Sequence, residues 1–299
     1  MAKRSNAIRM THGDRVVSAI CAFVLLLCAA VTFFPFMNVV SKAVSADWAV
    51  ISGKVGMLPT GFHLDTLRYV AGSAVFTSAF RVSIVTTVGG TALAMVLTVL
   101  TAYALSKKHL PFIKFFLVAF VFTMLFSGGM VPNYMLMHSL GLLNSYAALL
   151  LPGALSVYNM LIIKSYFESL PESIEESAKL DGASNLVILF RILLPLSLPV
   201  LATIALFYAV GYWNDFINPL LYISKPALRT MQIYLRNIVL EASDLPDLAA
   251  ARTMDDLMNV TPEGIRSAAV VAVTLPIVVV YPFLQKYFIK GILIGSVKG

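Results

Sequence analysis

The stretch Arg81–Lys107, RVSIVTTVGGTALAMVLTVLTAYALSK, carries no charged side chain between its two ends. An ionised side chain at mid-bilayer costs about 2.5–3.5 kcal/mol, and a helix needs about 20 apolar residues to cross the hydrocarbon core. The stretch therefore reads as a membrane span, and the same test extends outward from it. No charge lies between Arg15 and Lys42. Lys114 to Lys164 is also uncharged but too long for one helix. Ser127-Gly128-Gly129-Met130-Val131-Pro132-Asn133 divides it, because Gly and Pro disfavour helix continuation, predicting spans near 115–135 and 144–163. A fifth run follows Arg191 to Asp215 and in effect to about residue 222, and a sixth lies between Arg266 and Lys286.

Composition agrees. Of 299 residues, 59% are hydrophobic and 12% charged, with a mean hydropathy of +0.85; a soluble domain carries about 25% charge. That excludes a water-soluble globule, a disordered chain and a fibrous repeat, and predicts an all-α, polytopic membrane protein with six transmembrane helices. Its orientation follows from basic residues. The tail holds Lys3, Arg4, Arg9 and Arg15, and the loop after the second span holds Lys107, Lys108 and Lys114 without an acid, while the loop between spans three and four is uncharged. The tail side is thus cytoplasmic, with both termini inside. The expected layout is a cytoplasmic tail over 1–15, a first transmembrane helix over 16–41 and an extracellular segment over 42–80. A five-helix core follows over 81–289, containing a cytoplasmic loop at 165–196 and an extracellular segment at 223–265, before a cytoplasmic tail at 290–299. The first apolar run exceeds the 7–15 residues of a signal peptide and reads as a retained helix. The net charge of +7 is an orientation signal, and nucleic acid is not an expected partner. Cys21 and Cys28 share one apolar run and cannot build a disulfide framework.

Two loop features are legible. Met231, Tyr234, Leu235, Ile238 and Val239 recur at helical spacing, predicting an amphipathic helix on the membrane or against a partner. Thr261-Pro262-Glu263 reads as a helix start, with Thr as cap and Pro in the first turn.

The loop after the fourth span is more specific. Ser169-Leu170-Pro171-Glu172 offers a capping box for a short helix in which Ile174, Ser177, Ala178 and Asp181 share a face. Gly182 ends it where a left-handed residue is needed. Ser184 caps a second short helix holding Leu186 and Phe190, and Pro195 and Pro199 steer the chain into the fifth span. Periodicity alone fits a solvated connection equally well. The small residues Ser177, Ala178 and Gly182, read as an exposed face, instead permit close approach by another protein.

The spacing Glu176-x-Ala178, then Gly182, then Ile192-x-Leu194-Pro195 resembles the coupling-loop signature of the membrane subunits of binding-protein-dependent ABC importers, with Ser177 where that family usually has Ala. Further likenesses are to carbohydrate permeases of the maltose-type superfamily: Pro59–Tyr69, Gly141-Leu142-Leu143-Asn144, Trp213-Asn214-Asp215 and Gln285–Gly291. Ser127–Tyr134 resembles the subgroup for complex oligosaccharides and polysaccharide fragments. The resemblance implies an ABC importer permease fold and import of an oligosaccharide or polysaccharide fragment across the cytoplasmic membrane of a prokaryote. It also implies a docking loop comprising Glu175, Glu176, Ser177, Ala178, Asp181, Gly182 and Ala183. The implied partners are a second related permease, two ATP-binding subunits and an extracellular solute-binding protein. Gly53-Lys54 is the only Gly-Lys pair, and Val55 follows it, so no phosphate-cradling loop is present; ATP and Mg belong to the ATPases, leaving this chain without cofactor or catalysis. Sugars need hydrogen bonds and aromatic faces, which nominates Asn133, Tyr134, Tyr158, Asn159, Trp213 and Asn214, with Asn144 and Tyr212 beside them.

Rival classes fit less well. A secondary transporter places ionisable groups at membrane depth, yet the spans hold no acid before Asp215. His12, His63, His109 and His138 are isolated, and there is no His-Glu-x-x-His metal motif. Within the importer class, another solute remains the alternative.

Overall fold

A bilayer offers no water to backbone N–H and C=O groups, so apolar runs close those bonds internally as helices. The computed structural model describes residues 12–107, 110–241 and 261–296. The tail up to residue 11, Lys108, His109, residues 242–260 and residues 297–299 lie outside the described residues, and with them parts of the expected tails and of the 223–265 segment. The helices are α1 (His12–Ala43), α2 (Asp47–Ile51), α3 (Asp65–Gly72), α4 (Ala74–Ser106), α5 (Ile113–Leu125), α6 (Met130–Ser139), α7 (Tyr146–Leu150), α8 (Val157–Ser169) and α9 (Glu172–Leu180). Next come α10 (Asn185–Ile188), a π-helical turn at Leu189–Leu193, α11 (Leu194–Leu196), α12 (Leu198–Trp213), α13 (Ile217–Tyr222), α14 (Met231–Glu241) and α15 (Pro262–Ser296).

Among the described residues, three unbroken helices are long and apolar enough to cross a membrane: α1, α4 and the front of α15. Two further pairs qualify only as bent units, α5 with α6 at 113° and residues 185–196 with α12 at 86°. The expected span at 115–135 is therefore not one helix. It stops at Leu125, where Phe126 turns extended at φ −115° and ψ 112°, and helix resumes only after Gly129, whose φ of 89° no residue inside a right-handed helix adopts. The expected span at 144–163 is also interrupted. Between α7 and α8 lies Pro152-Gly153, where Pro has no N–H to give and Gly favours irregular backbone. The 13 residues of α8 rise only about 20 Å, short of a hydrocarbon core of about 30 Å.

The chain divides into two units. The first joins Met1–Val70 to Glu241–Ala272. Its long helix α1 buries nothing along its apolar stretch and exposes Phe23, Leu26 and Phe33 alike, the pattern of a helix meant for lipid rather than a protein core. Beyond α1 polar contacts take over. Asn38 Nδ2 donates to Gly56 O at 3.0 Å and Ser41 Oγ to Met57 O at 2.6 Å. The expected cap of α15 is present: Gly264 N donates to Thr261 Oγ1 at 3.0 Å, and Thr261 N and Oγ1 both donate to Asp47 Oδ1, at 3.0 and 3.2 Å.

The second unit joins Ala71–Leu240 to Val273–Gly299 and is organised on α4. Along α4 the buried positions Ser83, Thr86, Gly90, Ala94, Thr98 and Ala102 recur every three or four residues. Such a stripe of small residues lets helices approach closely in a membrane, where lipid is as apolar as leucine and packing must supply the attraction. Helices α12 and α8 pack on α4. Two tyrosines of α12 pin the arrangement. Tyr208 Oη shares a 2.6 Å hydrogen bond with Thr98 Oγ1 and accepts from Ser156 N at 2.9 Å. Tyr212 Oη donates to Leu150 O at 2.7 Å while its ring rests on Gly90, where a Cβ would lie 2.6 Å from ring carbons. The helix expected around Met231–Val239 forms as α14, but Met231, Tyr234 and Ile238 are buried within the protein rather than spread on the membrane or kept for a partner. Met231 N donates to Ser83 Oγ at 2.8 Å, and Tyr234 meets Phe76 edge-on at 5.7 Å.

Candidate functional site

The polar loop between α8 and α12 folds as a helix-turn-helix. Its first helix, α9, starts differently from the expected capping box. Pro171 is the cap residue, without a side-chain bond, and Ser169 Oγ turns back to donate to Tyr166 O at 2.7 Å, as serine does when a carbonyl of the preceding turn is within reach. Glu172 and Glu175 still occupy the first turn, where the helix dipole favours carboxylates. The end of α9 is as expected. Gly182 adopts φ 81°, Gly182 N donates to Lys179 O at 3.0 Å and Ala183 N to Ala178 O at 2.9 Å, a paired C-terminal closure that needs a left-handed residue. Ser184 then caps α10 by accepting from Val187 N at 3.4 Å, and the chain turns through 86° near Ser197.

The faces of α9 are sorted by burial. Ala178 is 8% exposed and belongs to the same core cluster as Tyr103 of α4, Phe167 of α8 and Leu193. The expected exposed small-residue face is thus corrected: Ala178 points inward, because its methyl fills the space where α4, α8 and the loop converge. Glu176, Ser177, Asp181 and Gly182 are exposed and Ala183 is half-buried. A Cβ added at Gly182 would meet nothing within 4 Å. Leu180, 89% exposed, stands apolar among them; in the sequence its only mark is a leucine next to an acidic helix end. Glu175 is turned toward the membrane spans and pairs with Lys107 at the end of α4. A cleft of about 300 Å³ opens here, lined by Lys107, Glu168, Glu172, Glu175, Glu176 and Lys179 among others.

The nominated sugar residues occupy several local settings. Asn133 and Tyr134 lie exposed on α6, where Tyr134 stacks on Tyr222 at 6.4 Å and on His138 at 6.5 Å. Tyr158 is exposed while its neighbour Asn159 is buried. Trp213 is 9% exposed, and its Nε1 is buried with no partner among the described residues. With the exposed Asn214, it borders an apolar groove of about 310 Å³ between α4, α12 and α15, walled by Phe80, Ile84, Leu206 and Val210. Thr87 also lines it, its Oγ1 buried without a partner among the described residues. Asn144 serves the fold: it takes φ 57°, and its Oδ1 accepts from Ser224 N and Lys225 N at 2.6 and 2.9 Å. Tyr212 is likewise occupied by Leu150 and Gly90. Asp215 accepts from Asn218 N and Nδ2 and so organises the first turn of α13.

Around this site the described residues form apolar helices joined by a polar elbow that carries a short acidic helix. Residues 9–294 match the family described as binding-protein-dependent transport system inner membrane component, and the chain belongs to that family. It is 43% identical over 278 residues to the polygalacturonan/rhamnogalacturonan transport system permease protein YtcP of Bacillus subtilis, covering 92% of this chain and 96% of that protein. It is 45% identical to protein LplC of the same organism over 90% of both chains. A crystal structure of a bacterial ABC transporter involved in import of the acidic polysaccharide alginate contains a chain that superposes with a TM-score of 0.88 at 30% identity, covering 94% of this chain and all of that one. The fold is that of an ABC importer permease.

Proposed function

We propose that this chain is the permease subunit of an ATP-driven importer for an oligosaccharide or polysaccharide fragment, lining half of the pathway and docking its ATPases through α9. One observation supports the docking role above others. A single short helix joins the membrane core through Ala178 while presenting Glu176, Leu180, Asp181 and Gly182 outward, as a mechanical coupling between two bodies requires. The carbohydrate assignment is supported by relatives named for polygalacturonan, rhamnogalacturonan and alginate.

The finer assembly is a second related permease, two ATP-binding subunits and an extracellular solute-binding protein. The chain crosses the cytoplasmic membrane of a prokaryote six times with both termini inside, the bent and interrupted helices counted as spans. ATP closes the ATPases, α9 moves with them, and the spans turn the pathway outward. Differential contact with ATP-bound and nucleotide-free states is what shifts such an equilibrium.

Glu176→Lys and Gly182→Leu test the docking role in purified, reconstituted complexes. Any side chain at Gly182 strains its backbone by about 1–2 kcal/mol, so Gly182→Ala serves as control: it carries the strain without the bulk. Uptake per ATP hydrolysed falls with Leu and Lys and is largely retained with Ala. Normal transport by Gly182→Leu and Glu176→Lys complexes would discard the docking role.

A further inference from the structure

We propose that Lys107 and Glu175 are positioning residues forming a strut that fixes α9 to the end of α4, so that motion of the docking helix reaches the membrane spans without slack. This rests on the reading of α9 as the docking helix.

Among the described residues four ion pairs are found, and they differ in what they join. Lys42–Glu263 and Arg68–Asp65 lie in the first unit, and Lys164–Glu168 lies within a single helix. Lys107–Glu175 connects α4 to α9, and its side chains are only 13% and 21% exposed. Exposed pairs contribute little because water screens them; shielding strengthens the attraction. The lysine ammonium also lies 4.3 Å from the centre of the Tyr103 ring, where the ring's negative face attracts a cation. Tyr103 in turn meets Phe167, near the end of α8, edge-on at 6.3 Å. The strut therefore stands on an aromatic floor shared by two membrane helices.

Its geometry has a mechanical meaning. Glu175 and Ala178 are three residues apart, hence neighbours on one helix face. Ala178 anchors α9 by packing into the core. Leu170 and Ala183, just beyond its two ends, pack against the same core, but apolar contacts are non-directional and set where the helix sits more than how it is turned about its axis. The ion pair adds a directional attachment on the same face and fixes that rotation, holding Glu176, Leu180 and Asp181 outward. A push on the outward face then becomes displacement of α4. Lys107 as a bare orientation signal would need no partner on α9, no shielding and no aromatic seat.

The experiment uses the reconstituted complex with Cys21→Ser and Cys28→Ser. A single reporter cysteine is placed at whichever of Val210, Gly211 or Asn214, all exposed at the far end of α12, changes its alkylation rate on trapping with ATP and vanadate. Glu175→Gln removes the pair while leaving Lys107 as orientation signal. It is expected to cut the nucleotide-dependent change in labelling about fivefold or more, in the range of ordinary coupling energies, with the ATPases still co-purifying. Glu175→Asp and Lys107→Arg retain the response. In complexes without the reporter cysteine, a Lys107→Cys/Glu175→Cys pair joined by a short bifunctional maleimide retains ATP-driven uptake, since a strut stays closed throughout the cycle. Wild-type labelling in both Glu175→Gln and Lys107→Gln overturns the proposal, as does loss of uptake on cross-linking, which would mean the contact must open. Failure of the docking reading is told apart by Glu176→Lys: if that variant responds like wild type, α9 is not the docking element, whereas a silent Glu176→Lys with a responsive Glu175→Gln removes the strut alone.

Discussion

Gly89 and Gly90 stand side by side in the middle of α4, and the structure gives them opposite fates on substitution by alanine. In a helix interior Ala is ordinarily better than Gly by about 0.5–1 kcal/mol. At Gly89 an added Cβ meets nothing within 4 Å, so Gly89→Ala should be neutral or raise stability by up to that amount. At Gly90 the Cβ would stand 2.6 Å from Cε1 and Cζ of Tyr212, against a carbon–carbon optimum of about 3.5–4.0 Å. The ring cannot retreat freely. Its Oη is held by Leu150 O at 2.7 Å, and a Cβ on Gly153 would already sit 3.1 Å from Cζ. Overpacking of this kind costs about 1–3 kcal/mol, and displacing the ring forfeits a hydrogen bond contributing about 0.5–1.5 kcal/mol. Set against the propensity gain, Gly90→Ala should destabilise the chain by about 1–3 kcal/mol. Thermal unfolding of the purified protein in detergent measures it, at about 2–4 °C per kcal/mol for a chain of this size class. Truncating the ring should remove the conflict, so Gly90→Ala in a Tyr212→Leu background should cost less than it does alone, a coupling above about 1 kcal/mol in the four-variant cycle. Equal midpoints for the two alanine variants, or additive effects of Gly90→Ala and Tyr212→Leu, would refute the assignment of Tyr212 as a wedge between α4 and α7.

Two further outcomes follow from single side chains. Asn144→Ala removes the acceptor shared by Ser224 N and Lys225 N and leaves alanine at φ 57°, so stability should fall by about 2–4 kcal/mol, visible as a lower unfolding midpoint; a sugar-binding role for Asn144 would instead lower uptake at unchanged stability. Thr261→Val keeps the shape but loses the cap of α15 and the hydroxyl bond to Asp47, costing about 1–2 kcal/mol, and hydrogen exchange at Gly264 should rise well before exchange at Val273, buried deeper in the same helix.

Much of the architecture is legible in the chain without coordinates. Absence of charge over Arg15–Lys42 and Arg81–Lys107 is enough to predict α1 and α4, because the cost of burying an ion in lipid is paid residue by residue and depends little on neighbours. Helix ends are similarly local: Thr261, Ser184 and Gly182 act as caps and breaker through bonds reaching only three or five residues. The elbow at α9 was identifiable for the same reason, its signature being a short run of contiguous spacing.

Tertiary structure decided the rest. The sequence marks an interruption at Ser127–Asn133, yet not the 113° through which the chain turns there, since a break permits many angles and packing selects one; the second interruption, at Pro152-Gly153, falls inside what reads as one span over 144–163. It shows Ser177 and Ala178 as equally small, while only the meeting of α4, α8 and the loop turns Ala178 inward and leaves Ser177 in the open. Lys107 reads as an orientation charge until Glu175, distant along the chain, is found against it. Local chemistry sets which segments are helices and where they stop; the direction each helix faces is a property of long-range contacts, which no short window of sequence contains.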